Sequence, residues 1–466
     1  MSFDTIAAIS TPRGKGGVAL IRISGADALA VGDAIFRPKN GKKLSDAASR
    51  YSVFGDIVDP RDGAAVDSGL CTVFRAPHSF TGEDTVEVSC HGGVLVSAAV
   101  LSACLAAGAR QAEAGEFTRR AYAAGKLSLA EAEALGMLLD ARTDAQMRLA
   151  RGGMRGGVSR AAEELAERIS AVLSDIYARI DFPDEDLGEL SAEETAARVF
   201  DIFTDAERLG ATYSAGRAIA EGISTVICGR TNAGKSTLYN RLTGEASAIV
   251  TSEEGTTRDV LTETVSFGGI TLRLSDTAGI REGRDEAERL GIDRARERIE
   301  SSELVIFVID GSRQPDEDER GLAAELCGRG WGKVIAVLSK SDITGGVAGA
   351  VPEARALWEM FADRAAISAE SGEGIDALAA LVGGMFIDPS VSAETDAIVQ
   401  NERQHDAVCR AVGALDDAAQ VLREGFSPDI AGIDLEEALS ALRSVDGRGV
   451  CAEIVDGIFS KFCVGK

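Results

Sequence analysis

No two of the eight cysteines stand in a C-x-x-C pair, and they are scattered over 466 residues. Neither a zinc site nor a disulfide framework is therefore expected, and reduced thiols in a cytoplasmic protein fit best. Basic charge is short as well: 49 Lys and Arg stand against 74 Asp and Glu, a formal net charge of −25. An average surface of that sign repels nucleic acid and anionic membrane, so any RNA contact needs a local basic patch or a partner protein. No basic segment precedes a long apolar core at the N-terminus, so a secretory leader is not expected. The uncharged run from Gly92 to Ala109 approaches the length of a membrane span. Ala, Ser and Gly dominate it rather than Leu, Ile and Phe, and a charge-rich chain surrounds it. It reads as a buried helix, with no membrane partner.

What is present is enough apolar residue, 45 %, to fill complete cores, and length for about three domains. Residues 1–120 mix short strands and helices, an α+β module. Thr5–Ser10 and Val18–Ser24 read as strands around the turn Pro12–Gly17, and Thr85–Cys90 as another. Arg22 and Glu87 fall on the polar sides of their strands by alternation. From Thr118 to about Ala220, Ala, Leu, Glu and Arg recur at helical spacing, continuously from Leu127 to Met147 and again over Val158–Ile180. Pro183 stops the second helix. Residues 222–386 alternate strands and helices, with strands expected at Ile223–Cys228, Leu261–Phe267, Ile270–Leu274, Leu304–Ile309, Val334–Leu338 and Ala365–Ile367. Helical pattern resumes after Pro389. The simplest organisation is an α/β domain, 222–386, inserted into a discontinuous helical domain, 121–221 and 387–466.

The inserted domain carries the chemistry. Gly229-Arg230-Thr231-Asn232-Ala233-Gly234-Lys235-Ser236 fits G-x-x-x-x-G-K-[ST], lies after an apolar strand and opens a helix at Thr237. Backbone N–H groups of such a loop turn inward on phosphate oxygens, Lys235 reaches the β- and γ-phosphates, and the Ser236 hydroxyl suits Mg²⁺. Gly255-Thr256-Thr257-Arg258-Asp259 follows, then Asp276-Thr277-Ala278-Gly279 at a strand end, elements that order around a γ-phosphate. Ser339-Lys340-Ser341-Asp342 matches a guanine-reading N-K-x-D pattern except at its first position, with Asp342 as acceptor for guanine N1 and N2. Ser368-Ala369-Glu370 follows the last strand, where backbone N–H groups meet guanine O6. Ser339 takes the place of an amide that braces the phosphate loop, which predicts weaker guanine affinity. Ile280 stands where a water-orienting Gln would be expected, so hydrolysis needs other help. Arg258, Arg281, Glu282 and Glu288 are candidates; ordinary helix-face charges are the alternative for each.

From end to end the chain resembles the MnmE (TrmE) family of tRNA wobble-uridine modification GTPases. The resemblance rests on the motifs above, on Arg281-Glu282 and Asp285–Arg289, on Pro77–Asp84, His91-Gly92-Gly93, Gly115–Thr118 and Asp181-Phe182-Pro183, and on the terminal Phe462-Cys463-Val464-Gly465-Lys466. It implies an N-terminal folate-binding-like α+β domain that dimerises, a helical domain and a Ras-like P-loop GTPase domain. It implies a K⁺ ion ligated by Asn232, Thr251, Glu253 and Thr256, and Mg²⁺ on Ser236 and Thr257. Glu288 matches the residue that positions the attacking water. Arg22, Glu87, Lys126 and Lys466 match positions that bind a 5-formyl- or 5,10-methylene-tetrahydrofolate one-carbon donor; the alternative for each is a surface charge or ion pair. The implied partner is MnmG, an FAD-containing protein that forms a heterotetramer with the homodimer and acts with it on tRNA. Thr231 departs from the Pro usual before Asn232. Cys463 is open between a catalytic nucleophile and a packed thiol, with only Lys461 and Lys466 nearby in sequence to lower its pKa. His78, Cys90 and His91 lack a fourth metal ligand and read as turn residues. The rival to the modification reading is a regulatory GTP switch that only binds partners; it has no use for Glu87, Lys126 and Lys466.

Overall fold

The computed structural model describes residues 4–181, 192–245, 262–275, 298–328, 332–387 and 397–465. The chain forms two compact units, Met1–Gly136 with Asp446–Lys466, and Met137–Val445. Residues 121–136 and the tail Asp446–Lys466, both expected with the helical segments, pack in the first unit.

The first unit is built on strands β1 (Ile6–Ile9), β2 (Val18–Ser24), β3 (Phe36–Pro38), β4 (Tyr51–Val58), β5 (Ala65–Phe74), β6 (Thr85–His91) and β7 (Arg110–Gln111), in the order β3-β4-β5-β6-β2-β1-β7. All neighbours are antiparallel except β1 and β7. Alternation in β2 and β6 sends Ala19, Ile21, Ile23, Val86 and Val88 into one core, where helices Ala28–Ile35 and Val94–Ala106 contribute Val31, Ile35, Val100 and Cys104. The uncharged run is thus a helix, but it is buried on one face only. Val94 and Leu95 are exposed, while Ser97, Val100, Ala103 and Cys104 face the sheet. Among the described residues, no helix is long and apolar enough to cross a membrane.

Arg120 is buried in this unit, its side chain only 2 % exposed. Its guanidinium donates to the Asp4 carbonyl at 2.7 Å and pairs with Asp4, Glu83 and Glu116 at 3.0, 3.2 and 2.8 Å. Glu83 also accepts from the Ser24 hydroxyl at 2.8 Å. The tail returns to the same unit. Val464 bridges Ala114, and the Ser10 hydroxyl donates to the Gly465 carbonyl at 3.0 Å.

The second unit holds a six-stranded sheet of β8 (Ile223–Cys228), β9 (Thr262–Phe267), β10 (Ile270–Ser275), β11 (Leu304–Asp310), β12 (Lys333–Ser339) and β13 (Arg364–Ala366), ordered β13-β12-β11-β8-β10-β9. Only β9 runs antiparallel, against β10. Every residue of β11 is buried. Leu304, Ile306 and Val308 enter one core and Val305, Phe307 and Ile309 the other, as expected of a parallel sheet covered on both faces. A separate helical core joins Gly157–Asp181 and Ala192–Ala211 to Glu402–Arg423 and Gly432–Ser444. Segments on both sides of the α/β sequence therefore share one core. The single helix expected from Leu127 to Met147 is broken into Leu129–Asp140 and Asp144–Met154. Thr143 caps the second through a reciprocal box with Gln146, and its hydroxyl also meets that of Thr271 at 3.1 Å.

Candidate functional site

The parallel strands β8, β11, β12 and β13 deliver their following loops to one edge of the sheet, the edge where open α/β folds bind ligands. The phosphate loop leaves β8 at Gly229, whose φ of +134° is open only to glycine. A Cβ there would lie 2.3 Å from the Val308 carbonyl oxygen on β11. Asn232 and Gly234 also take positive φ, +64° and +100°. The turn closes onto the helix Lys235–Glu245, with Ser236 and Thr237 exposed in its first turn and Ala233 buried beneath. Lys235 Nζ donates to the Arg230 carbonyl at 2.6 Å, and burial lowers its pKa. Arg230 pairs with Asp316 at 2.7 Å and fastens the loop from outside.

Ser339 ends β12 and is 3 % exposed. The expectation that this position no longer braces the phosphate loop is corrected. The hydroxyl lies 2.6 Å from the Ala233 carbonyl oxygen and 3.1 Å from that of Ile309. A hydroxyl has one proton, so it serves one of these acceptors at a time, and the shorter contact is the loop. Ser339→Ala is expected to weaken GTP binding about fivefold, the equivalent of roughly 1 kcal/mol for one buried hydrogen bond. An unchanged GTP Kd by calorimetry would remove the brace from the account.

Lys340 follows with φ +63°, and its Nζ meets Asp310 at 2.6 Å. Burial opposes the charge on Asp310, yet hydrogen bonds from Lys340 and Ser312 hold its carboxyl below the usual range. Asp310 was missed in the sequence; its signal is an acidic residue closing the apolar run Leu304–Ile309. Asp342 is exposed in the short turn Ser341–Thr344, and the Ser341 N–H donates to the Ile367 carbonyl at 3.1 Å. That bond ties the guanine-reading loop to the last one. There the Ser368 hydroxyl accepts from the Ser371 N–H at 3.1 Å, with Ala369 half-buried and Glu370 exposed. Asn232 to Thr237, Ser339 to Asp342 and Ser368 to Glu370 are thus brought to one edge. Thr251, Glu253, Thr256, Thr257, Arg258, Asp276, Thr277, Ala278, Gly279, Arg281, Glu282 and Glu288 lie outside the described residues, as does Lys466.

In the first unit, Arg22 and Glu87 face each other across β2 and β6 and form an ion pair, Nη2 to Oε1 at 2.8 Å, with both side chains partly buried. The Arg22 guanidinium stands 5.3 Å from the Phe80 ring centroid and 5.7 Å from that of Phe117. Lys126 is exposed and donates to the Pro77 carbonyl at 2.8 Å. The segment 77–84 therefore touches both. Cys463 is exposed, and its carbonyl accepts from the Gly115 N–H. Burial pushes the Cys90 thiol up to about 11, and His91 pairs with Asp67 at 2.8 Å. Among the described residues, no three His, Cys, Asp or Glu converge as metal ligands.

The family described as GTP-binding protein TrmE N-terminus matches residues 5–126, and the MnmE helical domain family matches 129–463. The tRNA modification GTPase MnmE of Symbiobacterium thermophilum is 41 % identical, covering 100 % of both chains. That of Moorella thermoacetica is 40 % identical over 99 % of both, and that of Geobacillus thermodenitrificans 38 % identical over 100 % of this chain and 99 % of its own. Among solved structures, the G domain of the T. maritima FeoB iron transporter covers 34 % of this chain and 96 % of its own at 20 % identity and a TM-score of 0.25, too remote to add to these relatives. The glycine-gated phosphate loop, the guanine-reading loop and full-length identity at this level together place the chain in the MnmE (TrmE) family of tRNA modification GTPases.

Proposed function

We propose that this chain hydrolyses GTP in the cytoplasm in order to drive modification of tRNA at C5 of the wobble uridine. The group added is a carboxymethylaminomethyl or aminomethyl group, and its carbon comes from a formyl- or methylene-tetrahydrofolate. The observation that carries this reading is the joined nucleotide edge, where the Ser339 hydroxyl links the guanine-reading strand to the phosphate loop. Mass spectrometry of wobble uridines in cells lacking the protein tests it: unmodified uridine is expected, and a normal nucleoside profile would overturn it.

Among the described residues, Ser236 and Asn232 suit the ions that the reading requires. The Ser236 hydroxyl is exposed in the first turn of its helix and suits Mg²⁺, with Thr257 as the second protein ligand. Asn232 is exposed on a left-handed backbone and suits K⁺, with Thr251, Glu253 and Thr256. A monovalent cation there supplies fixed positive charge against the charge that develops on the phosphates. Glu288 holds the attacking water, with Arg258 and Arg281 as candidates to offset the transition-state charge. Hydrolysis is expected to be faster in K⁺ than in Na⁺, because the ions differ in size and hydration; equal rates in the two salts would remove the Asn232 assignment.

For the folate, Arg22 offers a partly buried charge beside Phe80 and Phe117, oriented by Glu87, while Lys126 and Lys466 supply cations for a glutamate tail. A homodimer joined by its N-terminal domains, and the FAD-containing MnmG in a heterotetramer with it, complete the proposed assembly. Titration with 5-formyl-tetrahydrofolate separates this enzyme from a pure GTP switch, which has no reason to bind it.

A further inference from the structure

The helical part of the second unit carries a strong local reversal of the protein's charge. Between residues 142 and 160 stand five arginines, Arg142, Arg148, Arg151, Arg155 and Arg160, against the single carboxylate Asp144, a net charge of +4 within a chain of −25. Helix Asp144–Met154 places Arg148, Arg151 and Arg155 at i, i+3 and i+7, so they share one face over about 10 Å of helix axis. Met147 and Met154, 40 % and 39 % exposed, border that face. Arg151 and Arg155 are exposed, and neither pairs with a carboxylate among the described residues.

The corner that follows extends the patch. Gly156, at φ +71°, turns the chain straight into the helix Gly157–Asp181. That helix has no acidic residue in its first turn and has Arg160 there instead. Negative charge is what a helix N-terminus favours, and a cation at that end runs against its dipole. An external anion would satisfy both the N-terminus and the arginines. The corner is held from behind: Gln400 is buried, and its Nε2 donates to the Leu149 carbonyl at 3.0 Å. The patch is therefore preformed on rigid elements.

We propose that this corner is the surface on which the protein's second unit contacts the phosphate backbone of tRNA. The inference rests on the tRNA-modifying reading above. It resolves how so acidic a chain meets a polyanion: through a patch on its own surface as well as any basic surface on a partner. Point cations on an exposed helix face recognise phosphate charge and not base sequence.

The test measures binding of a fluorescent tRNA transcript to the full-length protein across a salt series, for the parent and for the variant Arg151→Ala/Arg155→Ala. Weaker tRNA binding at every salt concentration is expected, with the slope of log K against log salt shallower by about 1.4 to 1.8 for two lost phosphate contacts. GTP hydrolysis and the circular dichroism spectrum are expected to stay as in the parent, and Arg151→Lys/Arg155→Lys to keep most of the salt slope. Equal affinity and slope in parent and alanine variant would overturn the inference and leave the tRNA reading standing. A parent chain that binds no tRNA even at low salt would also overturn it, while the wobble-uridine profile would still decide the proposed function on its own. Equal loss of binding to anionic phospholipid vesicles and to tRNA would mark the patch as a general anion surface and overturn it likewise.

Discussion

Gly229→Ala is expected to lower GTP hydrolysis at least a hundredfold and to destabilise the second unit. Two independent costs meet at this position. A φ of +134° lies in territory that L-residues rarely enter, and holding one there costs on the order of 1–3 kcal/mol. The added Cβ would also stand 2.3 Å from the Val308 carbonyl oxygen, which is backbone in a fully buried strand and has nowhere to move. Relieving that overlap means lifting the loop off β11, at a further cost of about 1–3 kcal/mol. Lifting the loop also breaks the Ser339–Ala233 contact and misdirects the N–H groups that would surround the phosphates. Gly234→Ala is the informative contrast. Its φ is +100°, yet its Cβ would meet only the Ser339 side chain, at 3.6 Å. It is expected to keep measurable hydrolysis and to lose less stability. Melting curves and steady-state phosphate release on both variants check this ordering; hydrolysis by Gly229→Ala within twofold of the parent would show that the loop's approach to β11 does not set its geometry.

The nucleotide domain was the most legible part of the chain. Strands buried on both faces read as unbroken apolar runs, and Leu304–Ile309 is one. The phosphate loop was legible because its glycines answer to backbone needs that sequence pattern preserves. β4 and β5 were not, and the reason is physical: Tyr51, Phe54 and Leu70 are exposed, so apolar residues stand on both faces and blur the period of two. The break before Thr143 was hidden by the Ala- and Leu-rich run that crosses it, although the Thr143–Gln146 capping box marks it. Ser339 was misjudged for a different reason. A residue-type substitution says which group is lost, but not how close the remaining hydroxyl lies to the same acceptor. Contacts far apart in sequence, such as Arg120 with Asp4 and Glu83, left no local signal at all.

Arg120 supports the second large expectation. Arg120→Met keeps the length of the side chain and removes its charge, which leaves Glu83 and Glu116 facing each other's neighbourhood without their shared cation. Breaking one side of a buried ion network costs about 3–5 kcal/mol, because the stranded charges remain desolvated. A drop in melting temperature of roughly 10 °C or more is expected for the first unit. The loss reaches function through Glu83. That residue receives both Arg120 and the Ser24 hydroxyl, and it belongs to the segment that sets Phe80 over Arg22 and the Pro77 carbonyl on Lys126. Affinity for 5-formyl-tetrahydrofolate should therefore fall although Arg120 itself is buried. Acid tests the same network from the other side. Burial opposes ionisation of Glu116, but hydrogen bonds from Arg110, the Glu113 N–H and Arg120 outweigh it and hold the carboxyl below its usual range. A depressed folded-state pKa gives stability that is present above the unfolded value, about 4, and is lost as pH falls through the folded one. The gap in melting temperature between parent and Arg120→Met should accordingly narrow as pH drops below about 4, since protonation removes the carboxylate that Arg120 serves. A gap that stays constant from neutral to acid pH would mean that Arg120 contributes by packing alone, and that its charge is not what holds the 77–84 segment in place.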